Sequence, residues 1–137
     1  ISVAPIQVTN SALSLAIEMG FSRIILAGVD FCLRRDGYSH ARGSLDYEAG
    51  QQLSLMETRI ETNNGYIAET AFSLASASIV FDKLAEPAKQ KGITIINPAP
   101  GAAKLKNVQY ILLDDITLPQ PLSKEDKQFH KRIPSLQ

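Results

Sequence analysis

Ala12, Leu13, Ala16, Ile17 and Met19 recur at three- and four-residue spacing, the pattern of a helix with one buried face, and predict a helix over 11–19. Val3 to Val8 reads as a short strand leading into it. Thr9, Asn10 and Ser11 each carry a side-chain oxygen suited to the open amides of its first turn, and Gly20 supplies the stop. Arg23 to Gly28 is then a continuous apolar run bounded by charge, which predicts a strand covered on both faces. Phe31 to Gly50 has no apolar period and holds Arg34, Arg35, Asp36, Gly37, Ser39, Gly43 and Ser44. It reads as a long polar loop, a length often tied to function in compact domains.

The apolar pattern returns at Ser54–Glu61 and Tyr66–Glu69, which flank Asn63-Asn64-Gly65 and predict a hairpin with Ile60 opposite Ile67. Thr70 is positioned to cap a helix whose inner face carries Ala77, Phe81, Leu84 and Ala88 and which Gly92 ends. Pro87 lies within that pattern. Lacking a backbone donor, it predicts a kink or a fresh helical turn near Glu86. Ile93–Ile96 and Val108–Leu113 read as further buried strands. Helices alternating with apolar strands give an α/β fold with a mainly parallel sheet and a hairpin insertion.

The 137 residues suit one domain, drawn as residues 1–118, with a peripheral tail at 119–137 rich in Pro, Lys, Gln and Ser. Ser123 and Asp126 in that tail have the spacing of a short helix start. Hydrophobic residues at 45% and charged ones at 20% are ordinary for a chain that folds. The 14 basic and 14 acidic side chains cancel, so no net positive field draws in nucleic acid or an anionic membrane. The longest apolar run, Ile24 to Val29, is far too short to span a bilayer. Cys32 is the single cysteine, which excludes an internal disulfide and a cysteine zinc cluster and favours the reducing cytoplasm. The chain opens on Ile1 and enters structured text almost at once, the expectation for a domain truncated at its N-terminus.

Ligands of open parallel sheets bind beyond the carboxyl ends of the strands, where loops and helix N-termini gather. Gly28-Val29-Asp30-Phe31 leaves one such strand end. There glycine permits close backbone approach and Asp30 suits a hydroxyl or a cation, though an acid in this place serves equally to bond loop amides. Asp36-Gly37 forms a turn ahead of His40, whose imidazole titrates near neutral pH and can exchange a proton with a hydroxyl, or can stand as a solvated bystander. Arg34, Arg35 and Arg42 are suited to phosphate or carboxylate, or form a solvated cluster. Asn97 to Lys104 follows another strand; its small residues admit a ligand near the main chain, or build a rigid turn. Asp114-Asp115 is a carboxylate pair of the kind that holds Mg²⁺ beside a diphosphate or merely caps a loop. The dinucleotide, P-loop, nucleophile-elbow and zinc-protease motifs are missing, and His130 sits in the basic tail beside Lys131 and Arg132.

Taken in order, Thr9-Asn10-Ser11, Gly20-Phe21, Ile24-Ile25-Leu26, Gly28-Val29-Asp30-Phe31 and Asp36-Gly37-Tyr38-Ser39-His40-Ala41, followed by Gly65, Thr70, Asn97 and Gly101-Ala102, resemble the Maf-type domain. This family comprises flagellin glycosylation factors and archaeal 6-hydroxymethylpterin diphosphokinases. The resemblance covers roughly residues 8–110, and the run through Asp30-Phe31 is also similar to a segment of bacterial CMP-sialic-acid sialyltransferases. It implies a Rossmann-like domain that transfers a nonulosonic acid from a CMP donor to a hydroxyl, flagellin being one possible protein acceptor. The alternatives it implies are Mg²⁺-dependent transfer of diphosphate from ATP to a pterin alcohol, or a ligand-binding module without catalysis. His40 becomes the candidate general base and Asp30 its catalytic partner or a donor-positioning acid. Thr9, Asn10, Ser11, Gly28, Asp36 and Gly37 are implied substrate-binding residues, with Asp30 and His40 in the ligand loop and Asn97 and Gly101, also substrate-binding, in a second loop beside it. No tightly bound cofactor is implied. The chain departs from the family pattern at Phe31-Cys32-Leu33 and at Pro98 and Pro100, and it carries no glycine-rich phosphate segment upstream.

Overall fold

The computed structural model describes residues 8–33, 43 and 58–118. The chain runs through helix α1 (Val8–Glu18), strand β1 (Arg23–Ile25), the hairpin strands β2 (Thr58–Glu61) and β3 (Ile67–Thr70), helix α2 (Phe72–Gln90), strands β4 (Thr94–Asn97) and β5 (Gln109–Tyr110), and a 3₁₀ turn at Leu113–Asp115. β1, β4 and β5 form a parallel sheet in the order β1-β4-β5, with Arg23 opposite Thr94 and Ile96 opposite Gln109. β2 and β3 form a separate antiparallel pair. This is the α/β arrangement with a hairpin insertion that the alternating pattern implies. Among the described residues no helix is long and apolar enough to cross a membrane. The expected strand from Val3 to Gln7, residues 34–42 and 44–57 of the polar loop and first hairpin segment, and the 119–137 tail lie outside the described residues.

α2 organises the core. Ala77, Phe81, Ala85 and Ala88 are buried along one face, with Leu84 packed beside them. The Phe81 ring meets Phe31 at a centroid distance of 5.4 Å and a tilt of 58°, an edge-toward-face geometry that aromatic quadrupoles favour. Leu13 from α1, Leu26 after β1, Ala68 in β3, Ile95 in β4 and the loop residues Phe31, Cys32, Ala103 and Leu105 belong to the same cluster. Small residues dominate the α2 face, which lets α1 and β4 approach its backbone closely. Asp82 ties the helix to the segment before β5: its carboxylate accepts the Asn107 backbone N–H at 2.8 Å and faces the Asn107 amide at 3.3 Å.

The structure corrects several sequence expectations. α1 begins at Val8 rather than at Ser11, so Val8 is helical and Asn10 lies inside the first turns instead of capping them. β1 is shorter than Arg23–Gly28 and is not covered on both faces by the described residues: Arg23 and Ile25, which point to the same side of the strand, are exposed, and Ile24 on the other side packs against the core. α2 continues through Pro87 to Gln90. Burial of Ala85 and Ala88 on either side of Pro87 outweighs the missing donor, a tertiary effect that local propensity does not contain. The α2 cap is Ala71, without a side-chain bond, rather than Thr70. In the hairpin Ile60 faces Ala68, and Glu61 faces Ile67. Gly65 takes φ +86° and donates its N–H to Thr62 at 2.9 Å, a turn whose left-handed position glycine fills without strain. β5 stops at Tyr110, so Asp114 and Asp115 lie in the 3₁₀ turn instead of ending a strand.

Candidate functional site

A cleft of about 150 Å³ opens at the carboxyl end of β1, lined by Thr9, Gly28, Val29, Asp30, Phe31, Cys32 and Leu74. Thr9 and Leu74 come from the first turns of α1 and α2. The cleft therefore lies where the strand end and both helix starts meet, the place a parallel sheet reserves for ligands. Its volume is below the ~300–1,000 Å³ of a site that swallows a whole ligand and fits one moiety, such as a ring or a phosphate group.

The loop that forms its floor is held from every side. Asn97 donates its amide N–H to the Val29 carbonyl at 2.8 Å. The Ala103 N–H reaches the Asp30 carbonyl at 2.8 Å, and the Leu33 N–H reaches the Glu69 carbonyl at 2.9 Å. Thr70, fully buried at the end of β3, donates its hydroxyl to the Phe31 carbonyl at 2.8 Å. The Cys32 thiol donates to the Gly101 carbonyl at 3.2 Å. These bonds close on an unusual backbone. Phe31 has φ +55°, the single positive φ at a non-glycine among the described residues. A Cβ in that region clashes with the neighbouring backbone, and the conformation persists only where surrounding structure over-determines it, at about 1–3 kcal/mol. Gly28, three residues earlier, takes φ +69°, and the chain bends at both places between β1 and Leu33.

The second loop, from Asn97 to Ala103, leans on the hairpin turn. Asn63 donates its amide to the Ala99 carbonyl at 2.9 Å, and the Asn63 and Asn64 N–H groups reach the Ala102 and Pro100 carbonyls. Asn97 also accepts the Ala99 N–H at 3.0 Å, closing a short side-chain turn. Gly101 lies close under Tyr66, whose hydroxyl would sit 3.2 Å from a Cβ added there. The hairpin thus braces the second loop, and the second loop braces the first.

Of the residues singled out in the sequence, Thr9, Gly28 and Asp30 line the cleft together. Gly101 joins them through Cys32. Asn97 is buried, with its amide engaged to both loops. Asn10 is buried as well, its amide directed at the Ala77 carbonyl at 3.4 Å, while Ser11 is exposed on α1. Asp36, Gly37 and His40, like Arg34, Arg35, Arg42 and His130, lie outside the described residues. Asp114 and Asp115 are exposed, and no group of His, Cys, Asp and Glu with metal-holding geometry occurs among the described residues. Cys32, Thr70 and Leu74 escape sequence reasoning. Nothing in local spacing marks a strand-end threonine or a lone cysteine, whose partners lie 39 and 69 residues away.

Burial and the neighbouring Asp30 carboxylate raise the Cys32 pKa from 9.0 to about 11, against a smaller lowering by the Ala103 backbone. The group is a protonated thiol near neutral pH, and so a hydrogen-bond donor rather than a nucleophile. An acid whose folded pKa exceeds its unfolded value contributes fully below the unfolded pKa. That contribution drains as the pH climbs from 9.0 to about 11. Denaturation midpoints followed across that window are expected to fall more steeply for the native chain than for Cys32→Ala; equal slopes would show that the thiol does not carry the linkage.

Comparison with family models, with curated proteins and with solved structures finds no match to this chain.

Proposed function

We propose that this chain is a Rossmann-like, Maf-type domain that binds a nucleotide-activated sugar of the CMP-nonulosonic acid class and transfers the sugar to a hydroxyl acceptor. The observation that carries the reading is the cleft itself: a glycine and an acid, Gly28 and Asp30, at the carboxyl end of a parallel strand, beside the first turns of α1 and α2. A strained loop this firmly braced presents a preformed surface, which lowers the ordering cost of binding.

In the proposed reaction the acceptor hydroxyl oxygen attacks the anomeric carbon, the bond from that carbon to the phosphate oxygen breaks, and CMP leaves with the electron pair. His40 takes the hydroxyl proton as general base, and Asp30 orients donor or base. A serine or threonine hydroxyl, such as those of flagellin, is the matching acceptor class. The reaction needs no redox partner.

Thermal shift with CMP, UDP, ATP and a pterin alcohol, each with and without Mg²⁺, tests the reading. Selective binding of CMP in the presence of chelator is expected, with stabilisation of about 2.7 kcal/mol at a hundredfold excess over Kd. Binding of ATP only with Mg²⁺, with none of CMP, would replace it with diphosphate transfer.

A further inference from the structure

The geometry points to Thr70 as the positioning residue of the cleft: its buried hydroxyl holds Phe31 in the left-handed conformation and thereby sets Asp30 and Cys32 on either side of it. The ligand part of this inference rests on the nucleotide-sugar reading, whereas the clamp itself does not.

Thr70 is fully buried, and its hydroxyl has its shortest contact, 2.8 Å, with the carbonyl of Phe31; the Ala71 carbonyl lies farther off at 3.3 Å. A threonine that ends a strand ahead of a helix ordinarily turns its hydroxyl to the helix amides. Here α2 has no side-chain cap, and the hydroxyl is spent on a residue far away in sequence. The residue it reaches is the strained one. Phe31 gains from its ring against Phe81, but ring packing restrains the side chain and leaves the carbonyl free to turn. The Thr70 hydroxyl fixes that carbonyl, and the adjacent Leu33 N–H to Glu69 bond registers the same segment against β3. Asp30 and Cys32 flank the clamped peptide directly, and both line the cleft. The other bonds hold Val29, Asp30, Cys32 and Leu33, so loss of the hydroxyl removes the one made to Phe31 itself. Its peptide then opens more often toward an ordinary φ, which loosens Asp30 and Cys32 on either side.

The single cysteine makes the clamp readable, because whole-protein mass after iodoacetamide treatment reports Cys32 alone. Thr70→Val keeps the shape and removes the donor, whereas Thr70→Ser keeps the donor and removes a methyl group. At a temperature well below the melting point of each protein, Thr70→Val is expected to alkylate about tenfold faster than the native chain, the factor that losing an ordinary hydrogen bond gives a local opening equilibrium. It is also expected to bind CMP several-fold more weakly, while Thr70→Ser stays within about twofold on both measures. Equal alkylation of Thr70→Val and native protein, or equal acceleration in Thr70→Val and Thr70→Ser, would overturn the clamp. Should Thr70→Val not fold, Thr70→Ala against Thr70→Ser decides by the same ratio. If the native chain does not bind CMP, the nucleotide reading falls while the alkylation ratio still judges Thr70.

Discussion

Phe81→Ala is expected to cost about 3–5 kcal/mol, read as a lower urea midpoint at unchanged slope. Phe81 is fully buried at the centre of the α2 face, and the residues around it include Ala77, Ala85 and Ala88, which have no side-chain length with which to fill the space. A cavity there stays a cavity. The loss is a large share of the ~5–15 kcal/mol by which such domains are stable. It also reaches the cleft, because the Phe31 ring rests on Phe81. Phe81→Leu is expected to recover part of the stability without restoring the aromatic contact. A loss below about 1 kcal/mol for the alanine variant would place the core elsewhere.

His40→Ala is expected to lower turnover of the proposed glycosyl transfer by about 10²–10⁴-fold, with CMP affinity unchanged, since a general base acts on the acceptor proton and not on the donor nucleotide. A variant with native turnover would remove His40 from the mechanism. The contrast with Thr70→Val is useful: the clamp variant moves CMP affinity and Cys32 alkylation together, whereas the His40 variant moves neither.

Strong periodicity carried the larger elements. The α2 pattern at Ala77, Phe81 and Ala88, the Asn63-Asn64-Gly65 hairpin and the apolar run at β4 are each visible to a reader of the chain, because their signals are local and repeat. Boundaries were less legible. The continuation of α2 through Pro87 depends on what Ala85 and Ala88 bury, and the start of α1 at Val8 places Asn10 against Ala77, a contact 67 residues long. Thr70 shows the same limit from the functional side. Its residue type and place allow a helix cap, and only the arrival of Phe31 beside it decides otherwise.

The order of apolar and polar residues by itself determined the class of this protein, an alternation of helices and strands with a hairpin between them, and it marked Gly28 and Asp30 as following a strand. It did so because burial has a period that each element imposes on its own residues. Only the tertiary structure decided that Thr9 and Leu74 share a cleft with Asp30, that Asn97 and Thr70 grip the loop, and that Phe31 is held left-handed. Those facts depend on hydrogen bonds between residues distant in the chain, whose geometry exists only once the sheet and helices have packed.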